Sequence, residues 1–106
     1  MPKYMVKVNY SPEGAKGLQK DGGSKRRAAA EAAAKSLGGK LESFYFVLGN
    51  YDVVCIADMP DTVAATALSL AVTLSGAAET STSLLITAEE MDQACKKQVG
   101  YRAPGK

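Results

Sequence analysis

The chain has 106 residues, of which 46% are hydrophobic and 23% charged, and its formal net charge is +2. This length supports a single domain. Histidine and tryptophan are absent, which excludes Ser-His and Cys-His catalytic pairs and histidine-ligated metal sites within the chain.

The first forty residues predict one strand followed by helical sequence. Polar and apolar residues alternate over Lys3–Tyr10, the pattern of a half-buried strand. Ser11-Pro12-Glu13 is typical of a helix start, although two glycines weaken the helix that follows. A break at Asp21-Gly22-Gly23 separates it from an alanine-rich helix over Lys25–Leu37, which Gly38-Gly39 ends.

Two segments rich in aromatic and β-branched residues, Lys40–Leu48 and Tyr51–Asp58, predict a β-hairpin. We expect Gly49-Asn50 to form a type II′ turn in which Gly49 supplies the positive φ. That turn pairs Phe44 with Cys55. One face of the hairpin then carries Phe44, Phe46, Leu48, Tyr51, Val53 and Cys55. The other carries Leu41, Ser43, Tyr45, Val47, Asp52, Val54 and Ile56.

The second half of the chain predicts two more helices around a strand. Thr62–Ser75 has an apolar stripe at helical spacing, and Glu79–Ile86 reads as the fourth strand. Thr87–Gln98 begins with a capping box and predicts a short helix. We expect residues 1–98 to form one domain and Val99–Lys106 to be a flexible tail.

The order β-α-β-β-α-β predicts an α+β, ferredoxin-like sandwich with an extra C-terminal helix. Helices cover only one face of such a sheet, yet the hairpin is largely apolar on both faces. A second copy of the chain, packed sheet against sheet as a two-fold dimer, is the simplest cover for the other face. A ligand-filled groove in a monomer is the alternative.

The segment Leu48–Val53 with the following Met59-Pro60-Asp61 resembles the signature of the GYD-domain family of small bacterial and archaeal proteins. The family name corresponds here to Gly49, Tyr51 and Asp52, and the likeness covers about residues 3–92. The resemblance implies a dimeric α/β-barrel in which two ferredoxin-like sheets pack face to face. It implies no activity, because the family is functionally uncharacterised. Proteins of the same barrel architecture include cofactor-independent monooxygenases, isomerases and chlorite-processing haem enzymes, but transfer of their chemistry to this chain would rest on fold analogy alone.

The candidate site residues surround this hairpin. Gly49 has a structural role in the turn. Tyr51 either packs or lines a ligand cavity. Asp52, a carboxylate among apolar neighbours, is either a general base or the partner of a nearby cation or turn amide.

Four further residues complete the candidate set. Tyr45 shares the predicted face of Asp52 and is a second candidate tyrosine. Arg27 lies where the resemblance places an arginine, and it could pair with a hairpin acid or hold an anionic ligand. Lys7 and Asn9 share one strand face and could line the same cavity.

Charge along the chain is segregated. Residues 1–40 carry nine Lys and Arg against three acids, residues 41–95 carry eight acids and no base, and residues 96–106 carry four bases. The basic helix lacks interleaved aromatic residues, so we expect no nucleic-acid binding. We expect these blocks to neutralise one another within the subunit or across the dimer.

The two cysteines match no metal-ligand or disulfide pattern, so we expect neither metal nor cofactor. Cys55 lies in an apolar run and Cys95 in a polar helix. No segment has the length and hydropathy of a signal or membrane span, which favours a cytoplasmic protein without membrane contact.

Three functions remain, in decreasing order of support from the sequence. The first is a homodimer that binds a small apolar or anionic molecule between sheet and helices. The second is a cofactor-independent enzyme that uses Asp52 with Tyr51 or Tyr45. The third is an interaction module that only self-assembles.

Overall fold

A computed structural model describes all 106 residues as a four-stranded antiparallel sheet with helices against one face. The strand order is β2-β3-β1-β4, that of the ferredoxin-like fold, so the predicted fold class is confirmed. The elements are β1 (Lys3–Tyr10), α1 (Pro12–Asp21), α2 (Gly23–Ser36), β2 (Lys40–Phe46), β3 (Val53–Asp58), α3 (Thr62–Leu74), β4 (Ala78–Leu85) and α4 (Ala88–Lys96).

Side-chain caps explain where three of the helices begin. The Ser11 hydroxyl accepts from the Gly14 N–H at the start of α1, and the Asp61 carboxylate accepts from the Ala64 N–H at the start of α3. Thr87 forms the predicted capping box at the start of α4. Each cap satisfies a backbone donor that would otherwise have no partner within the helix.

The register of the sheet defines two faces. β1 lies between β3 and β4, with Val6 opposite both Cys55 and Thr82. The predicted pairing of Phe44 with Cys55 is confirmed. We call the side that carries Val6 and Cys55 the helix face. The opposite side, the open face, carries Lys3, Met5, Lys7, Asn9, Lys40, Ser43, Tyr45, Val54, Ile56, Asp58, Glu79, Ser81, Ser83 and Leu85.

A β-bulge in β2 changes one predicted side-chain direction. The register slips between Leu41, which pairs with Ala57, and Ser43, which pairs with Ile56. The extra residue, Glu42, therefore turns Leu41 onto the helix face with Ala57, rather than onto the face of Ser43 as the simple alternation predicts.

The hairpin turn is not the predicted type II′ turn, and the positive φ predicted for Gly49 is wrong. Gly49 does not have a positive φ. β2 ends at Phe46 and β3 begins at Val53, so six residues connect them. Beyond the strand ends, the Val47 N–H donates to the Asp52 carbonyl and the Asp52 N–H donates to the Val8 carbonyl, each at 2.9 Å. These bonds tie the end of the connection to both neighbouring strands.

The helices pack on opposite edges of the sheet. α2 lies on β2 and α3 lies on β4, so the central strands β1 and β3 are covered only in part. At one end the gap is closed by a cluster of buried residues: Tyr4, Ala34, Ala57, Met59 and Ala65. The Tyr4 hydroxyl is buried there without a hydrogen-bond partner.

The chain is extended for its size. Its radius of gyration is 16.9 Å, against about 13 Å for a compact domain of this length. Only 10 of the 106 residues are buried, and every residue of α4 is exposed. Residues 97–106 form neither helix nor strand. No helix has both the length and the apolar character needed to cross a bilayer.

Ion pairs join the segregated charge blocks at one place only. The Lys3 ammonium lies 3.0 Å from a Glu42 carboxylate oxygen and 2.9 Å from one of Asp58. Hydrogen bonds to Asp58 and then Glu42 raise the pKa of Lys3 above its usual value. The two other ion pairs lie within the basic block. Within the subunit, the predicted neutralisation by ion pairs is therefore confined to Lys3.

Candidate functional site

A cavity of about 310 Å³ lies between the helix face of the sheet and the two helices α2 and α3. Of its 21 lining residues, 17 are hydrophobic. Val6, Val53 and Cys55 form its floor, and Leu68 and Val72 of α3 form one wall. Apolar cavities of this size are typical of small-molecule sites. We call it the sheet–helix cavity.

The cavity exists because α2 presents mainly alanine methyl groups to the sheet. Ala29, Ala30, Ala33 and Ala34 line the wall opposite α3. Their spacing places them on one side of the helix. An alanine-rich sequence forms a helix readily, but it cannot fill the space above β1 and β3, so that space is left for another molecule.

Four lining residues are polar, and one of them is charged. Ser69 of α3 shares a hydrogen bond of 2.8 Å with the Thr82 hydroxyl. Ser75 donates to the Val72 carbonyl at 2.6 Å. The remaining two are Thr80 of β4 and Arg26 of α2, so Arg26 carries the only charge on the cavity lining.

Cys55 on the cavity floor is buried, as the sequence predicts, and Cys95 is exposed. Burial raises the pKa of the Cys55 thiol from 9.0 to about 11, although a hydrogen bond with the Val6 backbone acts in the opposite direction. Cys55 is therefore a protonated, apolar part of the lining at neutral pH rather than a nucleophile.

This shift predicts a loss of stability in alkali. Between pH 9 and 11 the unfolded Cys55 thiol loses its proton while the folded thiol keeps it, so the free energy of unfolding falls as the pH rises through this window. At pH 11, where the folded thiol is half ionised, the decrease reaches about 2 kcal/mol. Chemical denaturation at pH 8 and 11 should show a smaller decrease for Cys55→Ala than for the wild type. Cys95→Ser is the matched control and should decrease like the wild type. Equal decreases in Cys55→Ala and the wild type would contradict this assignment.

The predicted site residues do not line the sheet–helix cavity. The Asp52 carboxylate accepts a hydrogen bond of 2.8 Å from the Tyr10 N–H. It lies in a shallow recess beside α1, with Leu18 and Phe46. Its partner is therefore a backbone amide of β1, not the α1 or α2 cation or the turn amide that the sequence suggests.

Tyr51 and Lys7 contact each other on the open face. The Lys7 ammonium lies 4.6 Å from the centre of the Tyr51 ring, the geometry of a cation–π contact. The predicted placement of Tyr51 with Phe44, and of Asp52 with Tyr45, is therefore wrong. The widened turn breaks the strict alternation before β3 begins.

The other three candidates are also away from the cavity. Tyr45 is 68% exposed on the open face, and Asn9 is exposed on the same face of β1. Arg27 is exposed and lies 3.3 Å from Glu31, one turn further along α2. The structure thus brings Lys7 and Tyr51 together but does not gather the candidate set into one site.

Sequence reasoning missed Arg26 and the alanines of α2 as site residues. The sequence carries only part of the signal: positions 26, 29, 30, 33 and 34 share one helix face, but alanines at 28 and 32 extend the pattern to other faces. Alanine carries no functional group, so a search for reactive side chains passes over it.

These features define a ferredoxin-like α+β protein with an apolar cavity under its helices. The GYD domain model matches residues 4–95, nearly the whole chain, and the protein belongs to the GYD-domain family. No curated protein and no solved structure matches it.

Proposed function

We propose that the protein is a homodimer that binds a small, mainly apolar molecule in the sheet–helix cavity. The observation that carries the binding function is the cavity itself, with about 310 Å³ of space and 17 hydrophobic lining residues out of 21. Burial of apolar ligand surface in such a space is favourable by about 25 cal/mol per Å². Two free cysteines, one of them exposed, are consistent with a reducing cytoplasm.

The other two functions have less support. An enzyme based on Asp52 and a tyrosine would need these groups to face one space. Asp52 instead bonds to the Tyr10 backbone beside α1, and Tyr51 contacts Lys7 on the open face. A pure self-assembly module would need no cavity, and packing would fill its centre with side chains.

Binding can be tested with 1-aminoanthracene, a neutral aromatic amine whose fluorescence rises in apolar surroundings. Ala33 lines the cavity, whereas its neighbour Ala32 is exposed and does not. We expect the wild type to bind the probe and Ala33→Leu to weaken binding about fivefold or more, since three added carbons occupy the space. Fluorescence titration measures both affinities.

Ala32→Leu is the matched control, and its affinity should stay within about twofold of the wild type. Ala33→Leu should also remain folded, and its free energy of unfolding should rise by about 1 kcal/mol because the leucine fills apolar space. Wild-type protein that leaves the probe fluorescence unchanged would refute the binding function, as would equal affinities for Ala33→Leu and the wild type.

The dimer is supported by the surface that one chain leaves exposed. Half-buried Met5, Val54 and Ile56 lie together on the open face, with Tyr45 beside them. A second sheet would remove these apolar side chains from water.

A further inference from the structure

We infer that the ligand of the sheet–helix cavity is an amphipathic carboxylate, and that Arg26 binds its anionic group. This inference rests on the proposed binding function and adds the chemical class of the ligand. The inference follows from three observations: Arg26 is the only charged residue on the cavity lining, it has no acidic partner, and it lies at one end of the cavity.

Arg26 has no acidic partner. All four ion pairs of the chain involve other bases, and the adjacent Arg27 is held by Glu31. Arg26 is half-buried, in contrast to the exposed Arg27. A partly desolvated guanidinium without a counter-charge is unfavourable, and a carboxylate compensates it with two parallel N–H···O bonds.

Arg26 lies at one end of the cavity and the sealed apolar cluster lies at the other. Eight residues separate Arg26 from the buried Ala34, which corresponds to about 12 Å along α2. At the Ala34 end, Tyr4, Ala57 and Met59 close the space with apolar side chains. A ligand with its charged group at Arg26 would thus extend its apolar body toward Ala34.

The local field at the Arg26 end also favours an anion. α2 begins three residues before Arg26, at Gly23, without a side-chain cap and without an acidic residue in its first turn. Nothing on the helix therefore offsets the positive end of its dipole. This contribution adds to that of the guanidinium, which remains the principal contact.

The volume indicates a small ligand. A cavity of about 310 Å³ lies at the lower end of the range for small-molecule sites. A medium-chain carboxylate or a small aromatic acid with an alkyl group is of the matching class.

Displacement of 1-aminoanthracene by decanoate and by 1-decanol, below their aggregation limits and at neutral pH, tests the inference. The two competitors share an apolar chain and differ in charge. We expect wild-type protein to bind decanoate about tenfold more tightly than decanol. In Arg26→Met this preference should fall to about twofold or less, because the affinity for decanoate decreases far more than the affinity for decanol. Circular dichroism should show that the variant remains folded.

Arg27→Met is the matched control, because it removes the same charge one residue away. It should keep the tenfold preference. Equal binding of decanoate and decanol to the wild type would overturn the inference, as would a preference that survives in Arg26→Met or is lost equally in Arg27→Met. After any of these results, displacement of the probe by decanol would still support the proposed binding function. If the probe does not bind the wild type at all, both the binding function and the carboxylate inference are overturned.

Discussion

Gly14→Ala should lower the free energy of unfolding by about 3 kcal/mol, whereas Gly17→Ala in the same helix should raise it by about 1 kcal/mol. Gly14 is buried where α1 meets the start of β4, and a Cβ there would overlap the carbonyl oxygen of Ala77. That carbonyl also accepts hydrogen bonds from the Ser11 N–H and hydroxyl, so it cannot move away without loss.

Gly17 is exposed, does not have a positive φ, and has no neighbouring atom within 4 Å of the position that a Cβ would take. Alanine at this position should gain only the greater helix propensity. Urea denaturation followed by circular dichroism measures both variants. A destabilised Gly17→Ala, or a Gly14→Ala as stable as the wild type, would show that the contact between α1 and β4 is not tight in solution.

Ile56→Asp should convert the proposed dimer into a monomer. Ile56 lies in the central strand β3, between Met5 and Ser43 on the open face. A carboxylate buried at the centre of a sheet-to-sheet interface loses its hydration, and the dissociation constant of the dimer should rise by about a hundredfold or more. The monomeric fold should survive, because the side chain reaches solvent when the interface is absent.

Light scattering at micromolar concentration should give twice the chain mass of 11.1 kDa for the wild type. It should give the chain mass for Ile56→Asp. Val63→Asp is the matched control, since Val63 is 75% exposed on α3 and lies outside the open face; it should remain dimeric. A monomeric wild type, or a dimeric Ile56→Asp, would refute sheet-to-sheet association.

Much of the fold can be predicted because local signals agree with the final structure. These signals involve residues that are close in the sequence or lie in one hairpin. They are the caps at Ser11 and Thr87, the strand alternation in β1 and the pairing of Phe44 with Cys55. The turn could not be predicted in the same way. It depends on hydrogen bonds between Asp52 and β1, residues far apart in the sequence, which compete with the intrinsic preference of Gly49 for a tight turn.

The candidate site was harder to predict, for a different reason. Asp52, Tyr51 and Arg27 attract attention as polar or charged groups near a motif, but each has a local partner that accounts for it. The cavity arises instead because the alanine side chains of α2 are too small to fill the space between the helix and the sheet. Whether Arg26 or Arg27 faces the cavity depends on which side of α2 is turned toward the sheet. That orientation is fixed by the packing of Ala34 against Ala57 and Met59.

The bulge in β2 has a consequence for how copies of the protein can associate through sheet edges. β2 and β4 are the two edges of the sheet. At the β2 edge, the bulge at Glu42 interrupts the hydrogen-bond ladder, and the Glu42 carboxylate forms an ion pair with Lys3. A neighbouring strand would therefore meet an irregular backbone beside charged side chains. Only β4 offers a regular edge. A chain with one usable edge can pair edge to edge with one other chain only, whereas two usable edges on every chain would permit open-ended growth through the edges alone.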